Sequence, residues 1–225
     1  KRGIAMVPVV STMGFESEFM MKGHALVQIY GDGSVSVSHG GIEMGQGVHT
    51  KMQMIAAETL GIDLSYVKVL PTATDKTVNM PPTAGSTGTD LHGGAVFRAC
   101  KQLSENLKPI KDEHPEWDWK QICSYAYFNK YEMQASGFNP LPKSVYDHHT
   151  HEGRESYYLI WSVGFCEVEI DVLTGEHYIV RADLVHDCGS SLNPAIDIGQ
   201  IEGAFIQGYG YLTMEEIVRG DNKNK

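Results

Sequence analysis

Basic residues are scarce in this chain. Its 225 residues include 18 Lys and Arg against 28 Asp and Glu, a net charge of −10. That deficit argues against nucleic acid as a partner, because a phosphate backbone is held by Lys and Arg that displace its counterions. Cysteine is also sparse. The four, Cys100, Cys123, Cys166 and Cys188, form no C-x-x-C pair, so neither a disulfide framework nor a zinc site is indicated. Each lies in an apolar segment and reads as a buried free thiol, which fits a cytoplasmic protein. No apolar run approaches the roughly 20 residues that a membrane-spanning helix requires. Nucleotide signatures are missing too. The segment Gly41 to Gly47 is followed by Val48 and His49 instead of the Lys-Ser/Thr close of a phosphate loop, and G-x-G-x-x-G does not occur. Ser190 and Ser191 belong to no recognisable motif with a His and an acid, so a hydrolase triad has no support.

What is present supports a real core: 42% of residues are hydrophobic. The pattern predicts strands at Gly3 to Val9, His24 to Tyr30 and Val35 to Ser38, the last two joined by the turn Gly31-Asp32-Gly33-Ser34. Val48, Met52, Ile55, Ala56 and Leu60 recur at helical spacing, with Gly61 placed to end that helix. Tyr66 to Leu70 reads as a short strand and Pro71 to Asp90 as loop. Leu91, Ala95, Ala99, Leu103 and Leu107 mark a second helix, Trp117 to Tyr127 a third, and Tyr131 to Ser136 a strand. The stretch Gly137 to Glu155 is polar and reads as the least ordered. A second hairpin spans Tyr157 to Val172 and Glu176 to His186, and Ala195 to Tyr211 reads as a helix. Strands in hairpins and helices in blocks indicate an α+β fold with antiparallel or mixed sheets and packed helices, in one domain or two lobes of about 1–130 and 131–225. The start KRGIAMVPVV reads as a strand entered mid-chain and the end RGDNKNK as polar tail, which together suggest a segment of a larger protein.

Three loops carry the chemical signal. "HGGIEMGQG" (His39 to Gly47), "PPTAGSTGTDLHGG" (Pro81 to Gly94) and "CGSSLNPAIDIGQIEG" (Cys188 to Gly203) each run from a strand-like segment through small residues into a helix. A helix start leaves N–H groups without partners and carries partial positive charge, and glycine lets a ligand reach the backbone. Such places suit an anion or a carbonyl-rich heterocycle, and Gln46 adds a donor and an acceptor fitted to a pterin or purine edge. Plain capping and turn formation is the competing explanation for any one of them. Glu43 resembles a general base by type, but a carboxylate in such a loop more simply accepts backbone N–H bonds and holds it; Asp187 and Asp197 are read likewise, as loop or first-turn acids. The cluster Asp147, His148, His149, His151 and Glu152 lacks helical metal-ligand spacing and reads as a solvated loop. Trp117, Trp119, Tyr157 and Tyr158 read as packing residues.

"GGIEMGQGVHTKM", "PTAGSTGTDLHGGAV" and "DCGSSLNPAIDIGQIEGAFIQGYG", with "KRGIAMVP" and "CEVEIDVLTGEH" between them, closely resemble the molybdopterin-binding region of the xanthine dehydrogenase and aldehyde oxidase family over nearly the whole chain. The resemblance implies a segment of the large molybdenum-cofactor domain. In that family a molybdenum-bound hydroxide hydroxylates a carbon beside a nitrogen or oxidises an aldehyde, and electrons leave through the pterin to iron–sulfur clusters and FAD. Carried over residue by residue, Met44, Gly45 and Gln46 match the loop that contacts the pterin, Gly85 and Ser86 the pair beside the metal, and Gln200 an amide that hydrogen-bonds the pterin. Phe15 matches an aromatic packed edge-on to the substrate. No residue here is expected to ligate molybdenum directly.

Two positions depart from the family pattern. Glu16 stands where xanthine-oxidising members usually carry Thr, and its carboxylate at a substrate position favours a cationic or N–H-rich substrate over an anionic purine. Gly88 stands where a Ser usually serves the cofactor, which removes one hydrogen bond worth about 1 kcal/mol. The Gly-Glu-Pro-Pro motif with the general-base Glu, the Arg-Gly-Phe-Gly-Gly motif and the cluster and flavin segments do not occur in this sequence. The expectation is a cofactor- and substrate-pocket segment, inactive by itself, whose partners are a small-molecule substrate, the rest of the polypeptide and, in the whole enzyme, a second copy. The alternative is a catalytically silent descendant kept as a structural or ligand-binding domain.

Overall fold

The structure is a computed structural model that describes residues 1–15, 17–142, 146–147, 149–153 and 156–218. Two compact units emerge. One comprises Ser11–Leu159; the other joins Lys1–Val10 to Ile160–Lys225. Residue 130, where the sequence suggested a break between lobes, lies inside the first of these, in the connection between a helix and a strand.

The Ser11–Leu159 unit is a four-stranded mixed sheet with helices packed on it. Strands β2 (Lys22–Ile29) and β3 (Val35–His39) form the expected hairpin, Ala25 facing His39 and Ile29 facing Val35. The turn is held by Asp32, whose carboxylate accepts both the N–H and the hydroxyl of Ser34. After β3 comes α1 (Val48–Leu60), then the short β4 (Val67–Val69), which pairs parallel with β3, so α1 is a crossover connection. Gly61 ends α1 in the left-handed region at φ 70°, as its position predicted. Helices α2 (Gly94–Glu113) and α3 (Trp119–Phe128) follow, then β5 (Gln134–Pro140), antiparallel to β2. The sheet order is β4-β3-β2-β5.

Alternation explains the layering. Along β2 the buried positions are Gly23, Ala25, Val27 and Ile29, every second residue. That face meets the stripes of α1 (Val48, Met52, Ala56, Leu60) and α2 (Ala95, Val96, Ala99, Leu103, Leu107, Ile110). Small residues set the spacing. A Cβ on Gly137 would stand 1.9 Å from the carbonyl oxygen of Ala95, and one on Gly23 2.1 Å from that of Leu91. This close approach also corrects, for its first four residues, the reading of Gly137 to Glu155 as the least ordered stretch. Gly137 to Pro140 continue β5, because α2 lies directly against them. Asp118 begins α3 with a reciprocal capping box to Gln121, and the Trp119 indole N–H donates to the Gly33 carbonyl at 2.7 Å.

The second unit has strand order β1-β6-β7, made of β1 (Arg2–Thr12), β6 (Leu159–Ile170) and β7 (His177–Asp187), and it ends in α4 (Pro194–Thr213). Asn193 caps α4 by accepting the Ile196 N–H, with Pro194 in the first turn. None of the residues of α4 is buried. Two thiols differ from expectation in this unit. Cys100 and Cys123 of the other unit are buried, but Cys166 is only partly covered and Cys188 is exposed. The reason is local: Cys188 follows β7 in an exposed loop, where its Sγ lies 3.9 Å from Asp197 Oδ2. No disulfide joins any of the four.

Candidate functional site

The first loop is built around one carboxylate. Glu43 accepts the N–H of Gly45 at 3.0 Å and of Gly47 at 2.9 Å through one oxygen, and of His49 at 3.0 Å through the other. It is therefore a buckle across the start of α1, the role its position suggested. Burial alone raises its pKa, and the three backbone N–H bonds outweigh that and hold it below the ordinary carboxylate value. The helix start had been read as a donor set open to an anion; Glu43 takes part of that set for itself. Gln46 is likewise folded onto the loop, its oxygen accepting the Met44 N–H at 2.6 Å and its nitrogen donating to the Ile42 carbonyl at 2.8 Å. One lone pair and one N–H of the amide remain for a ligand.

The glycines of this loop divide by role. Gly40 and Gly41 are packing positions: added Cβ atoms would fall 2.2 Å from Met80 Cγ and 2.9 Å from His92 Cδ2. Gly45, at φ +103°, opens onto nothing within 4 Å. Around it, Met44 and Ile42 expose 66% and 49% of their surface, an apolar margin suited to the face of a planar ring.

The second loop is tied to the first through Thr83, whose hydroxyl accepts the Ile42 N–H at 2.9 Å. It is tied to the chain after β1 by the Gly14 N–H, which donates to the Gly85 carbonyl at 3.0 Å. Gly85 and Ser86 are consecutive left-handed residues, φ 59° and 56°. For Ser86 this is an uncommon conformation of the kind that concentrates at functional sites. A Cβ on Gly85 would lie 2.7 Å from the Gly14 oxygen and 3.3 Å from Phe15 Cε1, so the Phe15 ring stands beside Gly85. Met44, Gly45, Gln46, Gly85, Ser86 and Phe15 thus belong to one unit, on two loops and the segment after β1, joined by hydrogen bonds. Gln200 is an exposed residue of α4 in the other unit. Glu16 lies outside the described residues. At Gly88 an added side chain would meet only Val48 and Thr83 methyls at 3.7 and 3.8 Å, so the space for a Ser is there.

Several residues of this region escaped the sequence reading. A π-helical turn, Thr89–Gly93, precedes α2. Asn139 of β5 donates its amide to the carbonyls of Asp90 at 3.1 Å and Leu91 at 3.2 Å, and accepts the Arg98 Nε–H. Tyr158, read as packing, donates its hydroxyl to Asp90 Oδ2 at 3.0 Å. Burial raises the Asp90 carboxyl, partly offset by that hydrogen bond, and Tyr158 is pushed up to about 12 by burial and by Asp90. Three histidines, His39, His49 and His92, also meet here, and their signal was legible: His-Gly-Gly occurs at His39 and again at His92. Away from the site, Asp147 and Glu152 form a bridge that closes their own turn, and no group of three His, Cys, Asp or Glu among the described residues is arranged to hold a metal ion. His148 lies outside the described residues.

The molybdopterin cofactor-binding domain model matches residues 1–225. The chain belongs to this family. It is 47% identical over 219 residues to a xanthine dehydrogenase of Drosophila pseudoobscura pseudoobscura, covering 97% of this chain and 16% of that protein. It is 44% identical over 225 residues to xanthine dehydrogenase 2 of Arabidopsis thaliana, covering all of this chain and 17% of that protein. An aldehyde oxidoreductase structure from Desulfovibrio gigas superposes with a TM-score of 0.78 at 24% identity, over 93% of this chain and 23% of that one. The molybdopterin-binding chain therefore spans about a sixth of the curated relatives it matches, and the structural likeness establishes the expected α+β fold of a molybdenum-cofactor domain.

Proposed function

We propose that this molybdopterin-binding segment supplies the pterin side and one wall of the substrate pocket of a molybdenum hydroxylase acting on an N-heterocycle or an aldehyde. The observation that carries the reading is the junction of the two loops: Gly85 and Ser86, held left-handed against Gly14 and Phe15, are tied through Thr83 to the loop that bears Met44, Gly45 and Gln46. The donor set fits the cofactor. No side chain crowds Gly45, where an added Cβ would meet nothing within 4 Å, Gln46 keeps one N–H and one lone pair, and Ile42 and Met44 offer apolar surface.

When bound, the molybdenum cofactor supplies oxygen transfer and electron acceptance. The chain's own residues bind and orient. Met44, Gly45 and Gln46 would hold the pterin, and Ser86 and Gly85 would approach the metal end with minimal bulk; Gln200, in the other unit, is assigned to the pterin by sequence resemblance alone. Phe15 would fix the substrate ring edge-on beside Gly85. Glu16 is assigned to the substrate position by sequence alone, and its carboxylate selects against anionic purines. The general-base Glu, iron–sulfur clusters and FAD are assigned to other parts of the whole enzyme, which we read as a cytoplasmic homodimer.

The test uses the full-length protein. Stoichiometric molybdenum and pterin are expected, with oxidation of at least one N-heterocycle or aldehyde, and Glu16→Thr is expected to shift preference toward xanthine. Protein purified without molybdenum or pterin, from a host with an active cofactor supply, would instead establish the catalytically silent reading.

A further inference from the structure

His39 is fully buried at the end of β3, and its ring reaches both ends of the first loop. Its Nδ1 accepts the Gly41 N–H at 3.1 Å. Its Nε2 lies 2.8 Å from Nδ1 of His49, in the first turn of α1. A neutral imidazole has one donor and one acceptor. Because a backbone N–H can only donate, Nδ1 is the acceptor and the proton sits on Nε2. The bond to His49 therefore runs from His39 Nε2–H to His49 Nδ1, which places the His49 proton on its own Nε2.

We propose that His39 is a positioning residue that staples the loop Gly40–Gly47 from its first peptide to the helix that follows, and that it does so only as the neutral Nε2–H tautomer. The proposal rests on the reading of this loop as the cofactor loop. A second proton on His39 would turn Nδ1–H against the Gly41 N–H. That event removes the contact at the first end of the loop, so the staple depends on the protonation state of His39.

The surroundings favour the uncharged state. The His92 ring, from the turn before α2, lies 5.6 Å from His39, is 3% exposed, and has an Nδ1 without a partner among the described residues. His24 of β2 faces His92, and Glu43 is the one anion among the groups acting on His39. Burial, reinforced by His92 and His49 and opposed by Glu43, pushes His39 down to about 3, and burial pushes His92 down to about 4.

Hydrogen exchange read by mass spectrometry on the full-length protein tests this, with metal and pterin content measured beside it. His39→Leu is expected to speed exchange across residues 40–49 about tenfold relative to α2 at neutral pH, with loss of cofactor, because a buried partner at Gly41 and a half-buried one at His49 are left unpaired. His39→Gln keeps a donor toward His49. It is expected to retain most of the protection and to be less sensitive than wild type as pH falls from 5 toward the His39 value of about 3, after correction for intrinsic exchange rates. Wild-type protection in His39→Leu, or a pH sensitivity in His39→Gln equal to that of wild type, overturns the proposal. The Gln comparison decides if the Leu variant does not fold. Accelerated exchange with wild-type cofactor content would leave the staple standing and defeat the cofactor reading of the loop.

Discussion

Glu43 accepts the backbone N–H of His49 at 3.0 Å while its other oxygen gathers Gly45 and Gly47. One side chain thus serves three donors that the bend into α1 would otherwise leave bare. Glu43→Gln keeps a carbonyl oxygen for two of these bonds and is expected to cost about 1 kcal/mol, whereas Glu43→Ala strands all three and is expected to cost about 2–4 kcal/mol. The sign of the pH effect follows from the depressed pKa: the contribution is present above the ordinary value of 4.5 and lost as pH falls through the lower folded value. Urea unfolding at pH 7 and pH 4 of wild type and Glu43→Gln checks both statements. The gap between the two proteins should narrow at the lower pH, and a gap that widens would contradict the buckle.

Glycine substitutions should separate packing positions from the open one. Gly137→Ala drives a Cβ to 1.9 Å from the Ala95 carbonyl oxygen, between two backbones that cannot yield without undocking α2 from β5. It is expected to cost about 3 kcal/mol or more. Gly45→Ala meets no atom within 4 Å but must hold φ +103°, so its cost is limited to about 1–2 kcal/mol of backbone strain. Denaturation midpoints should rank them in that order, and cofactor content should fall for Gly45→Ala out of proportion to its stability loss.

Helix limits were legible because their signals are local. Gly61 ends α1 and the 3.6-residue apolar spacing marks Val48 to Leu60, both set within a few residues of sequence. The site's loops were legible for a different reason, since the resemblance carried Met44 through Gln46, Gly85 and Phe15 as motifs. What stayed hidden depends on contacts far apart in the chain. Nothing near Asn139 announces that it holds carbonyls 48 and 49 residues earlier, and Gly137 reads as loop until α2 is placed on it. Gln46 was legible as an amide of the first loop, but not its engagement with Ile42 and Met44. The burial of Cys100 and the exposure of Cys188 diverge because apolar neighbours in sequence do not guarantee a covering layer in space.

Asn139 supports a further prediction about the π-helical turn. It is 7% exposed, and its amide adds a side-chain donor to two carbonyls, of Asp90 and Leu91, that share the Gly94 N–H at the end of the widened turn. Asn139→Ala is expected to destabilise the unit by about 1–2 kcal/mol, since both carbonyls lose a buried donor and keep only the shared Gly94 N–H. Asn139→Asp removes the donor and sets a carboxylate against the carbonyls, so it should be at least as harmful at neutral pH and milder in acid. Thermal unfolding of the two variants at pH 7 and pH 5 distinguishes this from simple loss of packing, for which pH would make no difference.

The last prediction concerns Asp90, whose carboxyl burial raises while the Tyr158 hydroxyl opposes the rise. A raised folded pKa means that the folded state binds the proton more readily than the unfolded one. The associated stability is therefore complete below 3.8 and declines as pH climbs through the folded value. Tyr158→Phe removes the opposing bond, which should raise that pKa further and cost about 1 kcal/mol near pH 7. Asp90→Asn keeps an acceptor for Tyr158 and removes the buried charge, so it should be neutral or stabilising at pH 7. Urea unfolding across pH 4 to 7 is the measurement. A wild-type stability that rises over this range relative to Asp90→Asn would show that the folded protein prefers the carboxylate, and would give Asp90 an ion partner in place of the desolvated role assigned to it.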